Sequence, residues 1–213
     1  MNGRIARACA AVLCVGVLGA TLSACAPILL GGVAMSALVA TDRRTSGAQL
    51  EDEGIELRAA GRLRENLGDR AHLNVTSYNR QVLLTGEVPS AQDRQLAEQV
   101  VSRVENVRSI VNELAVLGNS TLTQRSSDAL TTGKVKAAMV DAKDIFANAF
   151  KVVTERGTTY LMGRVTQREA NRATELTRSI GGVQKVVRVL EIISEEELQR
   201  TLPQSPPPAP PKT

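Results

Sequence analysis

The side chains able to do chemistry in this sequence are few and poorly placed for catalysis. The 213-residue chain holds one histidine, His72, at the start of a strand-like run, and a lone histidine in that setting is far more often structural than catalytic. No serine and acid complete a hydrolytic set around it, no Cys/His cluster has metal-ligand spacing, and no phosphate-cradling glycine motif occurs. Gly86 and Gly163 read as close-approach or turn positions, structural glycines rather than a phosphate site. The acidic runs Glu51-Asp52-Glu53 and Glu195-Glu196-Glu197 read as helix-start charge, favoured by the helix dipole. Aromatic residues make up 2% of the chain, with no Trp, which removes the platforms on which bases or sugars stack. No catalytic residue, metal, cofactor or nucleic-acid partner is expected.

Cys25 is the residue with a modification written around it. Arg4 and Arg7 precede an apolar stretch from Ala8 to about Leu22, and Leu22-Ser23-Ala24-Cys25 closes it with small residues, the layout of an export signal. The tetrapeptide resembles the bacterial lipobox, in which the cysteine sulfur receives a diacylglycerol and the cysteine becomes the acylated first residue. Residues 1–24 are then a signal peptide, and the diacylglycerol and N-acyl lipid on Cys25 are the only added group expected. Cys9 and Cys14 fall inside the signal, so the mature chain has no disulfide or thiol chemistry. Several acyl chains anchor stably, because each buried methylene contributes roughly 0.8 kcal/mol. A spanning helix within the uncharged residues 8–40 is the alternative, opposed by the glycines at 16, 19, 31 and 32. Residues 25–47 read as anchor and linker, with a polar stretch from Asp42 to Gln49 and folding resuming near Leu50.

The elements downstream occur twice. Residues 83–88 (LLTGEV) correspond to 160–165 (YLMGRV), so Gly86 matches Gly163; further on, Val107 matches Val183, Ile110 matches Val186 and Leu114 matches Leu190. In each copy a helix comes first: Ile55, Ala59, Leu63 and Leu67 recur at spacing four, as do Val135 and Met139. A hairpin follows, with Leu73 and Val75 on its first strand, a turn within Ser77 to Arg80, and Val82 to Val88 as its second strand. Its counterpart runs from Ala149 to Thr154, turns at Arg156-Gly157 and continues from Thr159 to Val165. Ser90 and Thr166 are N-caps of a second helix. A third strand, from about Ser109 to Leu117 and from Lys185 to Ile193, closes each copy. The expected fold is α+β, two tandem αββαβ modules at 48–118 and 124–193, followed at 194–213 by an acidic and then Pro-rich disordered tail with six prolines in its last eleven residues.

This order of elements, with a hairpin ending in L-x-G-x-V and a Gly-Val-x-x-Val strand, resembles the BON domain. With the ATDRRTSGAQLEDEGIELR stretch after a lipobox, the chain resembles the dual-BON outer-membrane lipoproteins associated with cell division and envelope stress. The resemblance implies a periplasm-facing protein, lipid-anchored in the outer membrane, that binds anionic phospholipids such as phosphatidylglycerol and cardiolipin and supports the membrane barrier, with enrichment at division sites. It places the lipid site on the first helix of the second module, which reads as beginning near Asp128. Where family members carry a large aromatic residue this chain has Leu130, followed by Thr131, Thr132, Gly133, Lys134 and Val135. Leu130, Gly133, Lys134 and Lys136 are the residues carried over as lipid-binding. Leu130 fits a core position equally well. Gly133 costs roughly 1 kcal/mol of helix propensity against Ala and would fray that first turn.

Charge gives a partly independent reading. Residues 48–118 hold 8 Lys/Arg against 11 Asp/Glu, a net of −3, whereas residues 124–193 hold 12 against 7, a net of +5. The basic module is the one in which the resemblance puts lipid contact, and each Lys or Arg near an anionic surface is worth about 1 kcal/mol. The competing function is a tethered, chaperone-like protein-interaction module whose partners are envelope proteins.

Overall fold

The computed structural model of the protein describes residues 42–201; the signal peptide expected at 1–24, Cys25 and the Pro-rich run from Pro203 lie outside them. Module 1 comprises α1 (Ser46–Leu67), a 3-10 turn (Gly68–Arg70), β1 (His72–Tyr78), β2 (Gln81–Val88), α2 (Ala91–Ser102), β3 (Ser109–Asn112) and β4 (Ala115–Val116). Module 2 comprises α3 (Leu122–Asp141), a 3-10 turn (Ala147–Ala149), β5 (Phe150–Glu155), β6 (Thr158–Thr166), α4 (Gln167–Arg178) and β7 (Lys185–Ile193), followed by α5 (Glu195–Thr201). The tandem αββαβ α+β fold expected from the repeat is the one observed.

In each module the hairpin is antiparallel and the last strand lies parallel to its second strand, giving the orders β1-β2-β3 and β5-β6-β7. The side-chain period of two divides each sheet. Val82, Leu84 and Val88 face Ile55, Ala59, Leu63, Ala97 and Val101 in one core, while Leu161 and Val165 join Val135, Met139, Ala170 and Ala173 in the other. The alternate residues Leu83, Tyr160, Met162 and Val189, with Tyr78, form a third cluster between the two sheets. The sheets therefore meet through their helix-free faces, and the helices form the outer layers.

Four local readings differ from the sequence expectation. Module 1's closing strand is broken into β3 and β4: the Glu113 N–H still donates to the Leu84 carbonyl at 2.9 Å, but the Leu114 N–H turns to the Asn112 side-chain carbonyl at 3.3 Å. Gly86 lies beside this break at φ +114°, whereas Gly163 is not in the positive-φ region and β7 is continuous. The helix expected near Asp128 begins at Leu122, where Thr121 and Gln124 form a reciprocal capping box; Gly133 is accordingly well inside the helix and frays no first turn. The tail's acidic run starts the seven-residue α5, whose Leu198 is buried. The polar stretch read as linker contains the N-cap Thr45 and two arginines, Arg43 and Arg44, whose side chains are largely buried.

Candidate functional site

α3 presents two faces. Asp128, Thr131, Val135 and Met139 are buried, while Leu122, Leu130 and Val140 are 80%, 62% and 70% exposed. At about 100° per residue, Leu122, Gly133, Ala137, Val140 and Leu130 fall within about 80° of one another, Lys134 about 40° to one side and Lys136 about 40° to the other. Gly133, Lys134 and Lys136 are all exposed. All four residues carried over from the resemblance thus share the solvent side of one helix, and Leu130 occupies the surface alternative rather than the core one. Neither lysine is ion-paired among the described residues. The surface is an apolar strip between two cations, suited to a boundary between apolar and anionic layers.

An aspartate on the first helix positions each module's hairpin. Asp52 accepts the Asn79 and Arg80 N–H groups, each at 2.7 Å, and the Ser77 hydroxyl at 2.6 Å. Asp128 accepts the Arg156 and Gly157 N–H groups at 2.8 and 2.9 Å. Both turns have positive φ at their two central residues, as tight primed hairpins require, and their outward N–H groups need an acceptor. Asp52 is therefore a buried turn clamp in the second turn of α1, which corrects its reading as helix-start charge. Burial alone would raise its carboxyl, but the hydrogen bonds from Ser77, Arg80, Arg44 and Asn79 outweigh that and hold it below its ordinary value. The signal missed in the sequence is the recurrence of Asp at 52 and 128, the same spacing that relates Ala59 to Val135.

The joint between the modules is polar at its margins. Arg43 is almost fully buried; it donates two hydrogen bonds to Glu169, at 2.8 and 2.6 Å, and one to the Arg164 carbonyl at 3.0 Å. Its guanidinium also stands 5.9 Å from the Phe146 ring centroid. Its neighbour Arg44 turns the other way, pairing with Asp42 and Asp52 at 2.8 Å and stacking 4.3 Å from the Tyr78 ring. Two consecutive residues thus bind opposite modules, and the stretch read as linker is a clasp. Lys151 reaches Glu56 at 2.6 Å, Asn74 reaches Glu155 at 2.8 Å and Asn79 reaches Glu191 at 2.8 Å.

His72 belongs to this joint. Its Nδ1 lies 3.0 Å from Glu87 and 4.0 Å from Glu155, and ligand atoms of the three residues lie within 4.8 Å of one another, a spacing a divalent cation can bridge. Glu87, however, also accepts from the Ser120 amide and hydroxyl, both at 3.1 Å, and from Arg156 at 3.3 Å. Both its oxygens are in use, one by a cation, and the residues fit a module-to-module hydrogen-bond network better than a metal. Burial acts most strongly on Glu87, yet the Ser120 amide, Arg156 and His72 together hold its carboxyl below the ordinary value. Burial raises Glu155. Gly86 and Gly163 serve the same close approach of backbones, since a Cβ at Gly86 would collide with the His72 carbonyl oxygen on β1 and one at Gly163 with the Ala149 carbonyl oxygen just before β5.

Residues 51–118 and 127–194 each match the BON domain; the chain belongs to the BON-domain family, in its dual-domain, outer-membrane lipoprotein form. It is 37% identical over 180 residues to the outer membrane lipoprotein DolP of Haemophilus influenzae, covering 83% of this chain and 93% of that one. It is 32% identical over 154 residues to a 21 kDa hemolysin of Actinobacillus pleuropneumoniae, covering 71% and 79%. CdsD, a structural protein of the type III secretion system of Chlamydia trachomatis, superposes with a TM-score of only 0.29 at 13% identity, covering 74% of this chain and 99% of that one. No helix among the described residues is long and apolar enough to cross a membrane, and the protein faces the periplasm from the outer membrane.

Proposed function

We propose that the protein, anchored through acylated Cys25, binds anionic phospholipid through the exposed face of α3 and thereby supports the outer-membrane barrier, including at division sites. The observation that carries this reading is the solvent side of α3, where Leu130 and Val140 stand exposed between Lys134 and Lys136. The net charge of +5 in residues 124–193 adds long-range attraction to an anionic surface. Leu enters the acyl boundary but lacks the headgroup-level preference of Trp, so attachment by α3 alone is weak and relies on the tether for local concentration.

The test is cosedimentation of the chain from Thr41 onward, in which all three cores are retained, with vesicles containing phosphatidylglycerol or cardiolipin. Binding is expected to need anionic lipid and to fade between low salt and about 0.5 M salt, where the Debye length is only a few ångströms. Leu130→Glu is expected to weaken it about tenfold or more, since it removes roughly 1.5–3 kcal/mol of burial and adds a repelled charge. No sedimentation at low salt would leave a tethered protein-interaction module as the better reading.

A further inference from the structure

β1 is an edge strand, and its free side is only partly closed. The hairpin turn has two residues, so Tyr78 pairs with Gln81, and the backbone groups of His72, Asn74, Thr76 and Tyr78 point at β2 while those of Leu73, Val75 and Ser77 point away from it. Ser77 fits this parity: its N–H donates to Glu56 at 2.7 Å, and its carbonyl accepts from Lys151 at 3.2 Å. Those two side chains close the edge at one end, a device by which natural sheets guard against strand pairing. Leu73 and Val75 have no such partner; among the described residues nothing bonds their outward N–H and C=O groups.

Beside these open groups runs a groove of about 480 Å³ between β1 and α1, lined by Glu53, Glu56, Leu57, Ala60, Leu73 and Val75. Leu57 is 76% exposed over it. The groove continues toward Arg64 and Gly68. From Glu53 to Arg64 the helix rises about 16 Å, the length of about five residues in extended conformation. One end is acidic: Glu53 is exposed and without an ion-pair partner among the described residues, and Glu56 shares its carboxylate between Lys151 and the Ser77 amide.

We propose that this edge takes up an extended segment of a partner protein by strand addition. The segment hydrogen-bonds to Leu73 and Val75, sets alternate apolar side chains on Leu57 and Ala60, and brings Lys or Arg to the Glu53 end. Charge complementarity selects this occupant, because the Glu53 and Glu56 carboxylates at one end of the groove call for a basic segment; pairing through β1 of a second copy is an outcome of the test. The surface belongs to module 1 and is separate from the lipid-facing helix of module 2.

The test uses the acylated full-length protein in detergent micelles and fluorescent seven-residue peptides alternating Val and Thr, with a Lys pair at either end. Binding by anisotropy is expected for at least one Lys peptide, at least tenfold weaker when Glu replaces Lys. N-methylation of alternate peptide amides is expected to abolish it. Val75→Pro removes the outward N–H, at a place where an edge strand tolerates proline, together with some packing of the Val75 side chain on the core, and is expected to weaken binding at least tenfold. Leu57→Glu alters an exposed side chain and keeps the fold; burying a leucine is worth roughly 1.5–3 kcal/mol, so it is expected to cost tenfold or more. Leu130→Glu should leave peptide affinity unchanged. Absence of binding by every peptide, or binding that neither Leu57→Glu nor Val75→Pro reduces, would overturn the proposal. So would concentration-dependent self-association abolished by the same two substitutions, which would assign the edge to a second copy.

Discussion

Arg43 and Glu169 stand 126 positions apart and meet at 2.6 and 2.8 Å in a nearly water-free joint. A buried pair of this kind is a weak source of net stability, but removing one partner strands the other charge, at about 3–5 kcal/mol. Arg43→Met is therefore expected to lower the urea midpoint of the chain from Thr41 onward by the equivalent of about 3 kcal/mol or more. Adding Glu169→Gln should recover much of that, because glutamine keeps the reciprocal cap with Thr166 without a buried charge. Equal losses in the single and double variants would contradict the clasp. None of this was legible in the sequence, where Arg43 sits in a polar run and nothing local names its partner.

The two αββαβ units were visible because side-chain period and turn residues are local properties, and the repeat doubled the signal. The break between β3 and β4 was not, since it lies opposite Gly86, whose positive φ no apolar pattern encodes. The two informative glycines make opposite forecasts. Gly86→Ala places a Cβ against the His72 carbonyl at φ +114° and is expected to cost about 2 kcal/mol or more in thermal or urea unfolding. A Cβ at Gly133 meets nothing within 4 Å, and at a mid-helix position Ala should raise stability by roughly 1 kcal/mol. The start of α3, expected near Asp128, lies six residues earlier, where Thr121 and Gln124 form the cap; Asp128 is instead a buried clamp on a distant turn.

Across the whole molecule the buried carboxylates set the acid limit. Asp52, Glu87 and Glu169 are all held below their ordinary values. For Glu169, burial is the largest single influence, outweighed by Arg43 and the Thr166 amide. A depressed native value means the unfolded chain binds more protons, so stability rises with pH through the carboxylate range. It is complete above the unfolded values of 3.8 and 4.5 and is lost as pH falls through the native ones. Glu155, raised by burial, acts in the opposite sense, losing stability as pH rises through its native value. With three groups against one, the melting temperature is expected to fall on acidification from pH 7 to about 3, and Glu155→Gln to raise it at pH 7. A melting temperature flat over that interval would contradict the assignment. The charge contrast between modules was legible at this scale; the face-to-face packing of the sheets was not, because a strand's outer face carries no label for what covers it.

Membrane contact, as proposed, is made by the solvent face of α3 and not by α1. From Thr41 onward the chain has no cysteine, so a single fluorophore can be placed through Leu130→Cys on α3 or Leu57→Cys on α1. With phosphatidylglycerol vesicles carrying nitroxide-labelled lipids at low salt, quenching is expected at position 130, little at position 57, and recovery when salt is added. Equal quenching at both positions, or none at 130 while the protein sediments with the vesicles, would contradict contact through α3.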